Sequence, residues 1–147
     1  KINAVVMDGQ NTDDLIPLAE MTRNLPVDVR FIEEMPFNGG DHETAIPLWN
    51  HVKILHTLRQ QWPDLGKIPD PPYSTSMNYR VPGHLGKVGI IAAWSRTFCG
   101  TCNRLRITPT GDFKTCLYDD GKMNLRDMMR AGLSNEDIKE NLQESIL

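Results

Sequence analysis

The residues best suited to chemistry are the cysteines of the chain, Cys99, Cys102 and Cys116. Two residues separate the first pair, and thirteen separate Cys102 from Cys116. Soft thiolates at such spacing bind Zn²⁺ or an iron–sulfur cluster. A structural zinc site is normally closed by a fourth ligand, for which His84 is the nearest histidine. Three thiolates alone suit a [4Fe–4S] cluster with one open iron, and a redox thiol pair is the third alternative. The spacing leaves these alternatives open.

Two arginines follow the cysteine pair directly. Arg104 and Arg106 come after Cys102, and on a strand their side chains share one face. Two guanidinium groups beside a metal suit bidentate capture of phosphate oxygens. The alternative is a solvated strand face with ordinary surface pairs.

Two further cations fall on apolar segments near the start of the chain. Lys1 and Arg30 lie on predicted buried strands, where a charge is costly unless it is paired or lines a cavity. In one interpretation Lys1 is frayed and Arg30 pairs with Glu33 or Glu34. In the other, both cations point into a barrel and meet an anion. Met35, at the end of the second strand, is by default core filler.

The elements that must position these residues begin with a βαβ unit. An apolar run over residues 1–7 predicts a buried parallel strand, and residues 12–21 carry the caps and apolar face of a helix. Residues 27–32 predict the second strand. Little later in the sequence is typical of further βαβ units, so we expect the rest of the sheet to be absent.

The middle and end of the chain predict shorter elements. Apolar residues at three- and four-residue spacing predict a helix over residues 44–62, whereas residues 63–82 are rich in Pro, Ser and Thr and predict a long loop or linker. Residues 87–94 predict a strand. Two helices are expected over residues 123–132 and 134–147, the second with Ser134 and Asp137 as a loose capping box.

A hairpin is predicted to bring Cys116 back towards Cys102. Strands over residues 105–108 and 113–117 flank a turn at residues 109–112. That turn places Leu105 opposite Cys116, on the face away from the arginines. A one-residue bulge would move Cys116 to the arginine face.

Composition limits the class of protein. The chain has 147 residues, 16 Lys and Arg, 19 Asp and Glu, a net charge of −3 and 39% hydrophobic residues. A negative balance argues against a broad nucleic-acid surface, and no run is long enough to cross a membrane. The first residues do not fit a signal peptide, and an odd number of cysteines disfavours a disulfide framework. We expect a cytoplasmic, reducing compartment.

The cysteine region carries a specific resemblance. The string Phe98-Cys-Gly-Thr-Cys-Asn-Arg-Leu-Arg-Ile-Thr108, followed by Gly111-Asp-Phe-Lys-Thr-Cys-Leu117, resembles the C-terminal cluster region of the GTP 3′,8-cyclase family. These are radical S-adenosylmethionine lyases of the first step of molybdenum cofactor biosynthesis. Residues 1–7 and 29–36 resemble late barrel strands of that family, and residues 124–132 resemble its C-terminal helical part.

The resemblance implies roles for particular residues. Cys99, Cys102 and Cys116 would hold an auxiliary [4Fe–4S] cluster whose open iron contacts the guanine of GTP. GTP would also be bound by Lys1, Arg30, Arg104, Leu105 and Arg106, and S-adenosylmethionine by Met35. In the family, a 5′-deoxyadenosyl radical removes the ribose 3′ hydrogen, and the 3′ carbon radical then attacks C8 of guanine. Cyclic pyranopterin monophosphate synthase acts on the product.

The resemblance also implies a fold and an organisation. We expect an α/β chain with a C-terminal βαβ remnant of a partial (β/α) radical-SAM barrel over residues 1–40. A small α+β domain over residues 41–147 would hold the auxiliary cluster and GTP. No cysteine precedes Cys99, so the cysteine motif of the family's radical cluster is absent and we expect this chain alone to be inactive.

The expected partners are GTP, the missing N-terminal half of the barrel, the downstream synthase and a second copy in a homodimer, with no nucleic acid or membrane. A zinc-stabilised binding module without catalysis is one alternative. The auxiliary-cluster domain of another radical enzyme is the other.

Overall fold

The computed structural model describes residues 1–35, 48–95 and 97–146. The chain forms two compact units, Lys1–Cys102 and Asn103–Leu147, which are described separately as unit 1 and unit 2. The predicted domain boundary between residues 40 and 41 lies outside the described residues. The expected α/β class is confirmed, whereas the origin of unit 1 in a barrel stays a prediction.

Unit 1 is built on a five-stranded mixed sheet. Strands β1 (Ile2–Val6), β2 (Asp28–Glu33) and β5 (Lys87–Ile91) are parallel. Strands β4 (Met77–Arg80) and β3 (Gly66–Lys67) continue the sheet antiparallel, in the order β1-β2-β5-β4-β3.

Two expectations for unit 1 were therefore wrong. The connection from β2 to β5 contains a helix and makes a second βαβ crossover, which we did not expect later in the chain. The segment 63–82 is not a linker, because it contributes β3 and β4 to this sheet.

The core of unit 1 lies between the sheet and two helices, α1 (Leu15–Glu20) and α2 (His51–Gln61). Alternate residues of the strands turn towards the helices and are buried, as the period of two requires. The most buried members are Leu15, Val29, Phe31, Ile54, Leu58, Val88 and Ile90. The opposite face of β1, β2 and β5 carries Asn3, Arg30 and Gly89 side by side.

Helix α2 is shorter than its sequence pattern predicts. The predicted start at residue 44 lies outside the described residues, but residues 48–50 are described and not helical. The Asn50 side chain accepts a hydrogen bond from the Lys53 backbone N at 3.0 Å, so Asn50 is the N-cap and the helix begins at His51.

Unit 2 consists of a small antiparallel sheet and two helices. Its strands are β6 (Arg106–Ile107), β7 (Asp112–Lys114) and β8 (Met123–Asn124), and its helices are α3 (Leu125–Arg130) and α4 (Asn135–Ile146). The predicted capping box is confirmed, since the Asp137 backbone N donates to Ser134 Oγ and the Ser134 backbone N donates to Asp137 Oδ2, both at 3.2 Å.

The register of the β6–β7 hairpin differs from the prediction by one residue. Arg106 pairs with Lys114, and Ile107 pairs with Phe113. The turn has three residues, 109–111, instead of the predicted four, because Gly111 closes it with a left-handed φ of +96° and Thr108 N then bonds to the Asp112 carbonyl at 3.0 Å. Strand β7 also ends at Lys114, ahead of the predicted residue 117.

Over the described parts of the chain, no helix combines the length and the apolar character needed to cross a membrane.

Candidate metal and anion site

The first two cysteines lie on a tight turn at the end of unit 1. A single 3-10 turn spans Cys99–Thr101, and the Cys102 backbone N donates to the Cys99 carbonyl at 3.2 Å. Both thiols are free and exposed. Gly100 is not required for this turn, because a Cβ there would meet no atom within 4 Å and φ is not left-handed. The turn thus presents two thiols to solvent.

Cys116 lies in unit 2, on a turn organised by a single carboxylate. Asp119 Oδ2 accepts hydrogen bonds from the backbone N of Thr115 at 2.9 Å and of Cys116 at 2.7 Å, and Oδ1 accepts from Gly121 N at 2.8 Å. The backbone N of Tyr118 lies 3.5 Å from Cys116 Sγ as a donor. Desolvation would raise the pKa of Asp119, but these hydrogen bonds outweigh it and lower the pKa. The carboxylate therefore stays ionised and fixes the backbone around Cys116.

The donor set fits a thiophilic metal group. The three cysteines are free and exposed, and sulfur with a nearby N–H donor is typical of iron–sulfur ligands. Among the described residues, neither unit contains a group of three or more His, Cys, Asp or Glu side chains that could hold a metal. Cys99 and Cys102 belong to unit 1 and Cys116 to unit 2.

His84, the candidate fourth zinc ligand, is committed to the core of unit 1. Thr22 Oγ1 donates to the Ala19 carbonyl at 2.8 Å, so its lone pair accepts from His84 Nδ1 at 2.9 Å. His84 is 6% exposed, and its ring stands edge-on to Trp62, with ring centroids 5.8 Å apart. His84 Nε2 is buried without a hydrogen-bond partner among the described residues. This packing favours a structural role for His84.

The segment Arg104–Arg106 opens unit 2. Arg104 and Leu105 are exposed, and Arg106 is half-buried on β6 opposite Lys114. Like charges directly opposite each other on a sheet are unfavourable. The Lys114 ammonium donates to the Asp119 carbonyl. Lys114 therefore lies between Arg106 of β6, its partner in the hairpin, and the turn that carries Cys116. Sequence reasoning missed Lys114, because its role depends on the register.

Arg30 lies on the face of the unit 1 sheet opposite the helices. The Arg30 guanidinium lies 3.7 Å from the Asp28 carboxylate, and the Lys87 ammonium lies 3.6 Å from the same carboxylate. Among the described residues, Arg30 forms no ion pair with Glu33 or Glu34. The interpretation that pairs Arg30 with Glu33 or Glu34 was therefore wrong, since the Glu33 side chain bonds to His51 on the helix side. Arg30 Nε is buried and has no hydrogen-bond partner among the described residues. Lys1 is exposed, next to β1.

Gly89 makes room for Arg30. A Cβ on Gly89 would lie 2.2 Å from Ser76 Oγ and 3.2 Å from Arg30 Cγ. The arginine therefore crosses the sheet where the neighbouring strand has no side chain.

Lys87, two residues before Gly89 on β5, was missed by the sequence analysis. Like Arg30, Lys87 is a charge within an apolar strand, which was the available signal.

The carboxyl end of β2 holds a third residue that sequence reasoning missed. Glu33 has a fully buried side chain, and its oxygens accept hydrogen bonds from His51 and Ser95. Desolvation would raise the pKa of Glu33, but these hydrogen bonds outweigh it and lower the pKa. Met35, two residues further on, is half-buried. A charged residue at the end of a parallel strand is the signal that could have identified Glu33.

Comparison with known proteins adds family information. Bovine "Molybdenum cofactor biosynthesis protein 1" is 46% identical over 144 residues, covering 94% of this chain and 22% of the relative. "GTP 3',8-cyclase, mitochondrial" of Arabidopsis thaliana is 35% identical and covers 95% of this chain and 36% of the relative. "GTP 3',8-cyclase" of Clostridium perfringens is 35% identical, with 99% of this chain and 45% of the relative covered.

The chain thus spans about a fifth to just under half of the length of these relatives. The family model described as Molybdenum Cofactor Synthesis C matches residues 27–147, which include all three cysteines, Arg30 and Arg104–Arg106. This chain belongs to the Molybdenum Cofactor Synthesis C family.

Proposed function

We propose that this chain is the substrate-binding portion of a GTP 3′,8-cyclase, a radical S-adenosylmethionine lyase of molybdenum cofactor biosynthesis. Family membership and the names of the relatives support the pathway and the reaction. One observation carries the assignment of an anion-binding role: a buried Nε–H donor on Arg30 that lacks a partner in the described chain. A buried donor without an acceptor is costly, and a phosphate oxygen would satisfy it.

The face of unit 1 around Arg30 suits a polyanion. The ion pairs of Arg30 and Lys87 with Asp28 are long, at 3.7 and 3.6 Å, so one carboxylate is shared loosely between two cations. Parallel alternation places Lys1 on the same face, two residues before Asn3, which pairs with Arg30. We assign Lys1 and Arg30 to the GTP phosphates and add Lys87 as a third cation of this face.

Unit 2 contributes a second set of cations. Arg106 faces Lys114 across the hairpin, a pair of like charges that a bound anion would stabilise. The observed register puts Arg106 level with Lys114, two residues before Cys116. Arg104, Leu105 and Arg106 are accordingly assigned to GTP.

The metal assignment rests on the thiol donors. Cys99, Cys102 and Cys116 would hold an auxiliary [4Fe–4S] cluster, which when bound supplies an open iron as a Lewis acid towards the base of GTP. The chain's own part is to provide free thiols on two tight turns and an N–H donor towards Cys116 Sγ. Met35 is assigned to S-adenosylmethionine, which together with a second [4Fe–4S] cluster belongs to the complete enzyme.

The remaining partners follow from the same proposal. They are the N-terminal part of the barrel, which would supply the radical cluster, the downstream cyclic pyranopterin monophosphate synthase and a second copy of the chain. A cytoplasmic location is proposed for this chain, although the plant relative's name assigns that protein to the mitochondrion.

Anaerobic reconstitution with iron and sulfide tests the metal assignment. The expected result is four irons and four sulfides per chain and a broad absorption near 400 nm that changes when GTP is added. The matched variants Cys99→Ser, Cys102→Ser and Cys116→Ser should each lose most of the iron. One zinc per chain and no response to GTP would instead indicate the zinc-stabilised module.

A GTP titration tests the anion assignment. Arg30→Ala should weaken binding by about 10- to 100-fold, because a charge-assisted hydrogen bond is worth about 1.5–3 kcal/mol. Arg104→Ala should have a similar effect. Arg59→Ala, at an exposed position of α2, is the control and should bind like the parent. Equal affinity of Arg30→Ala, Arg59→Ala and the parent would remove the phosphate assignment.

A further inference from the structure

The Glu33 carboxylate is buried without being used by any of the assignments above. Its side chain has no exposed surface, and it lies at the last residue of β2. A buried carboxylate is expensive unless hydrogen bonds to its oxygens replace the lost water. An apolar residue would serve packing alone better, so the carboxylate calls for another explanation.

Among the described residues, the hydrogen bonds to the carboxylate come from two segments distant in sequence. Oε1 accepts from the His51 backbone N at 2.6 Å, from Ser95 Oγ at 2.8 Å and from His51 Nδ1 at 2.9 Å. Oε2 accepts from the Ser95 backbone N at 2.7 Å. The carboxylate thus joins the end of β2 to the first residue of α2 and to the turn after β5. The amino end of an eleven-residue helix adds a favourable dipole.

Of the residues bonded to this carboxylate, Ser95 lies nearest the cysteines in sequence. It precedes Cys99 by four residues, and both belong to unit 1. We propose that Glu33 is a positioning residue that fixes the turn after β5 and thereby sets the position of the Cys99 and Cys102 thiolates for the metal group. The metal part of this proposal rests on the proposed function. The fixing of the turn by Glu33 does not depend on the proposed function.

Replacement by glutamine perturbs this arrangement selectively. Each carboxylate oxygen acts only as an acceptor, whereas an amide replaces one oxygen with an NH₂ donor. An NH₂ group in place of Oε1 would oppose the His51 backbone N–H at the amino end of α2, where the helix dipole disfavours a donor, and one in place of Oε2 would oppose the Ser95 backbone N–H. The Ser95 hydroxyl and the His51 ring nitrogen can each change from donor to acceptor, so they do not decide the orientation. The dipole therefore favours the NH₂ group against the Ser95 backbone N–H, and Glu33→Gln should loosen the cysteine turn more than the start of α2.

The experiment compares the parent chain with Glu33→Gln, Ser95→Ala and the packing control Val29→Ala. Val29 is fully buried on the same strand and face, so its truncation destabilises unit 1 without touching Ser95. Each protein is reconstituted anaerobically, and the rate of iron loss to a chelator and the electron paramagnetic resonance spectrum of the reduced protein are measured. Amide exchange at Ser95 is followed by NMR in the iron-free chain.

We expect Glu33→Gln to lose iron about ten-fold faster than the parent, as for other residues that orient metal ligands, and to show an altered spectrum. Val29→Ala should lose iron at the parent rate. Ser95→Ala keeps the other donors and should show a smaller acceleration, which preserves the test if Glu33→Gln does not fold. Equal rates for Glu33→Gln and Val29→Ala, or a parent rate for Glu33→Gln, would overturn the proposal.

Failure of the proposed function is distinguishable from failure of this inference. A parent chain that takes up no iron contradicts the cluster assignment and leaves the turn to be judged by amide exchange. Faster exchange at Ser95 in Glu33→Gln, and not in Val29→Ala, then supports the fixing of the turn by Glu33. Equal exchange in the two variants overturns it.

Discussion

The two units of this chain are stabilised by different means. Unit 1 contains nearly all of the buried apolar side chains in the described residues, arranged between a five-stranded sheet and α1 and α2. Among the described residues of unit 2, Phe113 is the one buried apolar residue. None of the described residues of α3 and α4 is buried. Burial of apolar surface therefore dominates in unit 1.

Polar turns take the place of a core in unit 2. Asp112 accepts hydrogen bonds from Thr108, Thr110 and Asn124, and Asp119 organises the turn of Cys116. Hydrogen bonds at exposed sites each contribute little net stability. The Cys116 turn of unit 2 therefore depends on the Asp119 carboxylate, while the Cys99–Cys102 turn is attached to a packed domain.

Truncation of a core residue should give the largest effect and confine it to unit 1. Leu58→Ala removes a fully buried side chain of α2 and should cost about 2–5 kcal/mol of unfolding free energy. Trp49, Trp62 and Trp94 all lie in unit 1, so tryptophan fluorescence during urea unfolding reports on it. Val52→Ala, at a position 61% exposed on the same helix, is the control.

Amide exchange in unit 2 decides whether the comparison holds for Leu58→Ala. Unchanged exchange in α4 would agree with separate stabilisation of the two units. An equal loss of protection in α4 would show that the units unfold together and would break the comparison.

Mild acid should affect unit 1 through His84. Burial lowers the pKa of His84, and the positive charge of Arg23 lowers it further. Below its ordinary pKa of about 6.5, the unfolded chain binds a proton that the folded chain resists, so stability falls as the pH falls. The slope can reach about 1.4 kcal/mol per pH unit.

A histidine variant tests the origin of that slope. His84→Gln should flatten the dependence of the urea midpoint on pH between 7.5 and 5, whereas His56→Gln, at an exposed position, should retain it. A slope that survives in His84→Gln would assign the acid sensitivity to another group.

The sequence predicted the parts of the fold that local patterns determine. Apolar runs identified β1 and β2, and the capping box of α4 was correct because Ser134 and Asp137 interact within one turn. The antiparallel strands β3 and β4 were missed, because β3 pairs with β4 and β4 with β5 through contacts distant in sequence. No local periodicity encodes such pairing.

The candidate site shows the same division. The types and spacing of the cysteines indicated a metal, and the family match covers them. The hairpin register was wrong by one residue, although Gly111 was the available signal for a three-residue turn. Glu33, Lys87 and Lys114 were missed because their roles depend on which strands are neighbours.

Removal of the capping box should have a moderate effect confined to unit 2. Ser134→Ala removes the hydroxyl that accepts from Asp137 N, and it should cost about 1 kcal/mol of helix stability. Faster amide exchange in the first turn of α4 is the expected result. Gln143→Ala, exposed on the same helix, is the control and should leave that turn unchanged. Identical exchange in both variants would count against the dependence of unit 2 on polar caps.

Strong acid should give the smallest effect, and it should arise in unit 2. Hydrogen bonds from Thr110, Asn124 and Thr108 lower the pKa of Asp112 from 3.8 to about 2. A carboxyl group whose pKa is lower in the folded state contributes its full stabilisation above 3.8 and loses it as the pH falls towards 2. Solvent reaches this carboxylate, so the contribution is screened and small.

The pH window separates this effect from that of His84. Carboxyl carbon shifts measured by NMR should report the lowered pKa of Asp112, and the Phe113 signals should report the folded fraction of unit 2. Asp112→Asn should weaken the hairpin at neutral pH, because the NH₂ group of the new amide faces Asn124 or the threonine hydroxyls. It should also remove the sensitivity of the hairpin between about pH 4 and 2, because the amide cannot titrate. Asp120→Asn, an exposed neighbour, should keep the parent profile. If Asp112→Asn retained the acid transition, the hairpin would not depend on this carboxylate, and the contrast between a packed unit and a polar one would lose its clearest chemical signature.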